Sequence, residues 1–384
     1  MAKNTNKISN ETLIPGVTYD VEETVKDSEL ESMFYDEKQT QIDLDGLASM
    51  SKEVKNTAAH MSDKELRFAL DYYDQIQQRR INVANQLRAV DQGYDDSTDE
   101  NISVTEWLFL NDKNTENQAK KAIEYYVRNN PVCKWASQVK GVGPIYAAKL
   151  WAAIDMSKCH HANQFLSYLG LNDNNTPWLG TEKAKKLVNE AYDKFDLKAS
   201  DEITDDVFLF VAEASGRNVD TVKNGFNRHK EKAAKNVTDK SILAKYLSMP
   251  PYNTKMKPIC YLIGKSFQLN CNRGSKYGRI YSERKALETM KNDNLEYKDQ
   301  AERLLTENNY DPSTDTYKCL IQGKLSPAHI DQRAKRYATK IFITHFFEAA
   351  WIYTHKTNPP VPYVIEHLGH VDYIEPEVSY DELW

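Results

Sequence analysis

The sharpest chemical signal in the sequence is Val139-Lys140-Gly141-Val142-Gly143-Pro144-Ile145-Tyr146-Ala147-Ala148-Lys149-Leu150. Glycines let a backbone bend and come close to a phosphate, and the unpartnered amides at a helix start attract anions. Lys149 adds a cation one turn later, so Gly141, Val142, Gly143 and Lys149 are candidate DNA contacts of a helix-hairpin-helix. The same spacing also fits an ordinary helical hairpin with a glycine turn. A second candidate spans Asp205 to Arg228, where Val207, Phe210, Val211 and Ala214 form one apolar stripe. Gly216 makes a turn, and Val219 and Val222 resume the stripe. Such spacing fits a helix-turn-helix whose second helix exposes Lys223, Asn224, Asn227 and Arg228, residue types that meet base edges or phosphates. Arg217 sits where that turn usually wants an apolar residue, and a plain helical pair with a solvated basic face fits equally. A third candidate is the helix opened by Pro327, in which His329, Arg333, Arg336 and Lys340 recur at helical spacing beside Ile330, Ala334, Tyr337 and Ile341. A line of cations on a helix can track a phosphate backbone, although most charged stripes are solvated surface. Lys255, Lys257, Lys265, Arg273, Lys276, Arg279, Arg284 and Lys285 enlarge that basic region.

Other residues with reactive side chains suggest less. Cys159-His160-His161 are adjacent in the chain, and neighbouring positions rarely converge on one metal ion. His345, His355, His367 and His370 lie among aromatics and prolines, where hydrogen-bonding roles are the expectation. Ser266 has no partnered base in the sequence and reads as a helix-packing hydroxyl. The five cysteines are scattered and form no CxxC pair, so they are expected as reduced thiols without a disulfide framework or structural zinc. No cofactor, metal or catalytic residue is expected.

The elements that must position these groups read as helices throughout. The formal net charge is −6, but residues 1–60 hold six Lys against twelve Asp or Glu, and residues 357–384 hold six acidic side chains and no Lys or Arg. Each end therefore carries −6, which leaves the interior, 61–356, at +6. Acidic ends flank a basic middle, and a nucleic-acid footprint depends on local rather than total charge. Residues 1–60 read as a flexible acidic tail, with one transient helix near Leu30 to Tyr35. At Ser62-Asp63-Lys64-Glu65 a capping box opens a long amphipathic helix in which Leu66, Ala69, Leu70, Tyr73, Ile76, Val83, Leu87 and Val90 recur at helical spacing. A polar loop, Asp91 to Asn101, precedes Trp107 to Leu110 and a separate helix from Glu116 to Arg128, which packs antiparallel to the first. Pro131 suits the first position of the next helix, with Val132, Trp135, Ala136 and Val139 inward. Residues 131–171 form the hairpin unit, ended by Gly170; 172–250 form a helical insertion; 251–358 form a basic helical block with a weak point at Cys271 to Gly278; and 359–384 form an extended acidic tail. No βαβ rhythm appears, and the fold class is all-α. No run approaches the roughly eighteen apolar residues of a membrane helix, and the N-terminus carries no secretory pattern, so a cytoplasmic location is expected.

At VKGVGPIYAAKLWAAID, the following FLSYLGL and the helical block beyond, the chain resembles the C-terminal domain of DEDD-type insertion-sequence transposases. The longer pattern, RFALDYYDQIQQRRINVANQLRA, CYLIGKSF, YGRIYSERKA, GKLSPAHIDQRAKRYATKIFITHFF and PYVIEHLGHVDYI, is similar to phage and prophage proteins of transposase-like type and spans about 61–376. That resemblance implies DNA contact at Gly141, Val142 and Gly143. Nothing before the hairpin resembles the RuvC-like domain that supplies the family's four acidic metal ligands, and the segment after Leu171 (NDNNTPWLGTEKAKK) lacks its Ser-Gly pair. The expectation is a non-catalytic DNA-binding protein of a phage or prophage, holding duplex or branched DNA, with a recombinase or another phage protein as a further partner. A recombinase, transposase or nuclease completed by a partner, and a phage assembly protein, are the alternatives.

Overall fold

A computed structural model describes residues 49–91, 99–172, 178–234, 236–361 and 373–384. Among them the regular structure is helical, with no strand. In chain order the helices are α1 (Lys52–Ala58), α2 (Asp63–Asp91), α3 (Asp99–Asn129), α4 (Pro131–Gln138), α5 (Pro144–Ala153), α6 (Ala162–Tyr168), α7 (Gly180–Lys194), α8 (Asp205–Ser215), α9 (Val219–Lys230), α10 (Asp239–Ser248), α11 (Met256–Leu269), α12 (Lys276–Asp293), α13 (Lys298–Glu307), α14 (Asp315–Leu320) and α15 (Pro327–His355), followed by a short 3-10 turn, Asp381–Leu383. No helix among the described residues is long and apolar enough to cross a membrane. The described residues divide into two compact units, one of 49–166 with 258–384, the other of 167–257.

In the first unit, α2 begins at the capping box: the Ser62 amide donates to Glu65 Oε2 at 2.7 Å and the Glu65 amide donates to Ser62 Oγ at 3.4 Å. α2 and α3 run antiparallel. Ala84 and Leu87 meet Phe109 and Leu110 in one apolar cluster, and further along the pair buried Arg80 donates to Glu116. The sequence separated Trp107–Leu110 from a helix at Glu116–Arg128, but both lie on the single helix α3, which contains neither Gly nor Pro. The polar stretch between them stays helical because Arg79 pairs with Asp112 at 2.8 Å and the Thr115 hydroxyl donates to the Asn111 carbonyl at 2.9 Å.

Two ends expected as tails are tied down where they are described. Ser51 caps α1, the Met50 amide donates to Gln118 on α3, and Asn129 donates to the Ala59 carbonyl. The expected helix near Leu30–Tyr35 lies outside the described residues. At the other end Leu383 is buried and the Trp135 indole N–H donates to the Val378 carbonyl at 2.9 Å, so 373–384 is a packed strap. His367 and His370 lie outside the described residues.

The core of this unit is aromatic and centres on α15. From Phe342 to Ile352 that helix is buried on nearly every side, as in a helix enclosed by its neighbours. Phe267 of α11, Tyr277 of α12 and Phe342 of α15 have ring centroids 5.1–5.6 Å apart, and Phe346 carries the cluster to Phe165. Gly264 allows α11 to approach α15 closely: a Cβ there would lie 2.8 Å from Thr339 Oγ1.

The second unit packs α7 to α10 around Val188, Tyr192, Val207, Val211, Val222, Phe226 and Leu243. Within α8 the buried stripe includes Phe208 and Ala212, whereas Ala214, expected inward, is exposed. Gly216, left-handed, ends α8, and Asn218 caps α9. Arg217, half-buried, takes the place of the apolar turn residue: it donates to the Leu247 carbonyl at 3.2 Å and lies over the Tyr246 ring.

Candidate nucleic-acid interface

The turn between α4 and α5 is built from its two glycines in different ways. α4 stops at Val139, and the Val142 amide turns back to the Val139 carbonyl at 2.9 Å. Gly141 between them has φ +104, and a Cβ there would lie 3.1 Å from Ser266 Oγ and 3.3 Å from Phe267. Its requirement for glycine is thus conformational and steric, set by α11. Val142, buried, pins the turn to the core. Gly143 is the N-cap of α5 with an extended backbone, and a Cβ there would meet nothing within 4 Å. Pro144 follows at the first helical position, and no side chain caps α5. Gly143 and the half-buried Ile145 and Tyr146 therefore present an uncapped helix start whose first amides can meet an anion.

The cation expected to serve this turn is engaged elsewhere. Lys149 donates to Asp74 on α2 at 2.6 Å, with its side chain only 13% exposed. The lysine at the turn is Lys140, exposed, whose ammonium donates to the Arg273 carbonyl and whose own carbonyl accepts from Ser275 Oγ at 3.1 Å. The break between α11 and α12, residues 270–275, overlaps the weak point expected at Cys271 to Gly278 and is thereby held against the hairpin, bringing Arg273 and Lys276 with it. Arg279 and Lys134 are also exposed in this unit. Glu377 of the C-terminal strap reaches the same place: its Oε1 accepts from the Lys140 amide at 3.1 Å and its Oε2 from the Lys276 amide, at the start of α12, at 2.9 Å.

The expected basic stripe on α15 is largely internal. His329 is 5% exposed, and burial, with Arg333 and Arg336 nearby, pushes its pKa down to about 4, so it is a neutral core imidazole. Arg333 donates to the fully buried Glu288 at 2.6 Å. Arg336 and Lys340 are half-buried and make interactions of their own. Charged residues at helical spacing look the same in sequence whether they face solvent or, as Arg333 does, a buried carboxylate on a neighbouring helix.

In the second unit Lys223 pairs with Asp205 at 2.7 Å, while Asn224, Asn227 and Arg228 are exposed along one face of α9. Cys159 is buried with its thiol pushed up to about 11, and among the described residues no group of three or more His, Cys, Asp or Glu is placed to hold a metal ion. Lys134, Lys140 and Glu377 are the residues at the hairpin that sequence reasoning did not single out. Lys140 stood inside the motif, whereas Glu377 lay in a segment taken for a tail. In comparisons with known proteins the chain matches no family model, no curated protein and no solved structure.

Proposed function

We propose that this chain is a non-catalytic DNA-binding protein that grips the phosphate backbone at a helix-hairpin-helix formed by α4, the Gly141–Gly143 turn and α5. The observation that carries this role is the start of α5: Gly143 faces open space, no side chain caps the helix, and exposed Lys140 stands three residues away. With no side chain at this position, the backbone can approach a phosphate oxygen closely, and the contact positions a duplex without reading its bases. Exposed Arg273 adds positive charge on the same unit, as do Lys134 and Arg279, which pair with Glu382 and Glu283 at the surface. The exposed face of α9, with Asn224, Asn227 and Arg228 in a helix-turn-helix-like pair, is a secondary contact. The resemblance of the hairpin to transposase C-terminal domains supports the same role and suits a phage or prophage protein.

The test is binding of labelled duplex, branched and single-stranded DNA to wild type, Gly143→Ala and Gly143→Asp. Since nothing contacts a Cβ at this position, both variants should fold. The aspartate should weaken binding tenfold or more by placing a negative charge at the phosphate position, and the alanine should have a far smaller effect. Equal binding by all three proteins would remove the hairpin from the interface, and no binding by any would redirect the search to protein partners.

A further inference from the structure

Resting on the DNA-binding role above, we propose that the strap 373–384 is an intramolecular stand-in for DNA, and that Glu377 occupies a phosphate site made by the amides of Lys140 and Lys276. The strap holds Glu375, Glu377, Asp381 and Glu382 and no basic residue. It runs over four lysines. Glu377 takes the Lys140 and Lys276 amides, Lys276 Nζ donates to the Pro376 carbonyl at 3.4 Å, Glu382 pairs with Lys134 at 2.8 Å, and Lys356 donates to the Leu383 carbonyl at 2.7 Å. Two backbone amides from separate elements, converging on the two oxygens of one carboxylate, form a cradle for an oxyanion. One of the two lies in the hairpin turn and the other at the positive end of an 18-residue helix.

The way the strap is anchored allows exchange at this one point. On one side Tyr373 donates to buried Glu348 at 2.7 Å, and the Ile374 carbonyl lies 2.7 Å from His345 Nε2. On the other, Tyr380 donates to Glu348 at 2.7 Å with its ring tilted against Trp135 at 5.5 Å between centroids, and Leu383 is buried. Glu377 lies between these anchors and is only half-buried, so its side chain can swing off the two amides while the strap stays attached. A tethered carboxylate competes with an incoming phosphate as an intramolecular ligand at millimolar effective concentration or above, enough to weaken the external ligand severalfold. The site thus sets a threshold: DNA is held firmly only where several phosphates engage the hairpin surface together.

The test uses the full chain as wild type, Glu377→Gln and Glu377→Gln/Glu382→Gln. Glutamine keeps a hydrogen-bond acceptor for one amide, and the melting temperature checks that the fold is retained. Inorganic tripolyphosphate and a short DNA duplex are titrated in parallel. The expected result is that the single variant binds both ligands about fivefold tighter than wild type and the double variant more tightly still. Tighter tripolyphosphate binding without any duplex binding would keep the anion site and overturn the DNA-binding role. Duplex binding equal in all three proteins would overturn the strap proposal and leave that role standing. Absence of either ligand from every protein would overturn both. A readout independent of the substitutions is the side-chain carboxyl carbon resonance of Glu377 in wild type, which should shift when saturating duplex displaces it from the Lys140 and Lys276 amides. An unchanged resonance in the duplex-bound protein would contradict displacement.

Discussion

Arg333 on α15 donates to Glu288 on α12 at 2.6 Å, and the carboxylate it meets is fully buried. Arg284 approaches the other oxygen at 2.5 Å and the Tyr297 hydroxyl donates at 2.5 Å, so one carboxylate gathers two guanidiniums and a phenol. Burial alone would raise the Glu288 pKa, but the bonds from Tyr297 and Arg333 and the charges of Arg333 and Arg284 hold it below the usual range. Glu288→Ala should cost roughly 3 kcal/mol by leaving two partly buried guanidiniums without their carboxylate. Arg333→Ala should cost less, since Arg284 remains, and should leave the salt dependence of DNA binding unchanged. Denaturant melts and a salt series on each variant check both statements.

His329 and His345 make stability depend on pH. Burial lowers each pKa from 6.5 to about 4, so between those values the unfolded chain takes up protons that the folded chain refuses. Stability is therefore complete above pH 6.5 and falls as pH drops towards 4, by up to about 3 kcal/mol for each histidine. Glu348, raised by burial, acts in the opposite sense at the acid end, so the difference between proteins is the clean readout. The gap in stability between wild type and His329→Gln should narrow as pH falls from 7 to 4. A constant gap would mean that His329 protonates freely in the fold.

The hairpin glycines should separate by phenotype. Gly141→Ala forces a Cβ into positive φ beside Ser266 and should destabilise the protein by about 1–2 kcal/mol. Gly143→Ala meets nothing and should leave the melting temperature nearly unchanged. Thermal unfolding of the two single variants is sufficient, and comparable losses in both would mean that Gly143 also packs.

On α9, Asn227→Ala and Arg228→Ala remove exposed side chains and should change stability by less than about 0.5 kcal/mol. As a secondary contact, Arg228 should reduce the salt slope of DNA binding by about one when removed, uniformly across duplex sequences. A sequence-dependent loss would instead show that this helix reads bases.

Much of the helical framework was legible because local chemistry writes it. Ser62–Glu65, Pro131, the glycine turn at 141–143, Gly216 and the break at 270–275 each mark a helix end through a cap, a missing amide or a left-handed backbone. What could not be read was which charges meet across helices. Lys149 finds Asp74 and Arg333 finds Glu288 over separations of 75 and 45 residues, and no local pattern encodes either pairing. The strap escaped for a related reason: twelve residues rich in acid look like a tail until Trp135, Glu348 and the buried site of Leu383 are assembled by the rest of the chain. The single helix α3 was divided because a run of polar residues resembles a loop when Arg79 and Arg80 are not yet beside it.

The measurement that bears most directly on DNA binding is the affinity of wild type for a duplex at a series of salt concentrations. Contacts from the hairpin amides with Lys134, Lys140, Arg273 and Arg279 should neutralise about four phosphates, giving a slope of log affinity against log salt near −3.5. A slope of that size, reduced in Lys140→Ala and Arg273→Ala, is the expected result. No measurable affinity at low salt, or affinity that does not vary with salt, would contradict a phosphate-gripping hairpin.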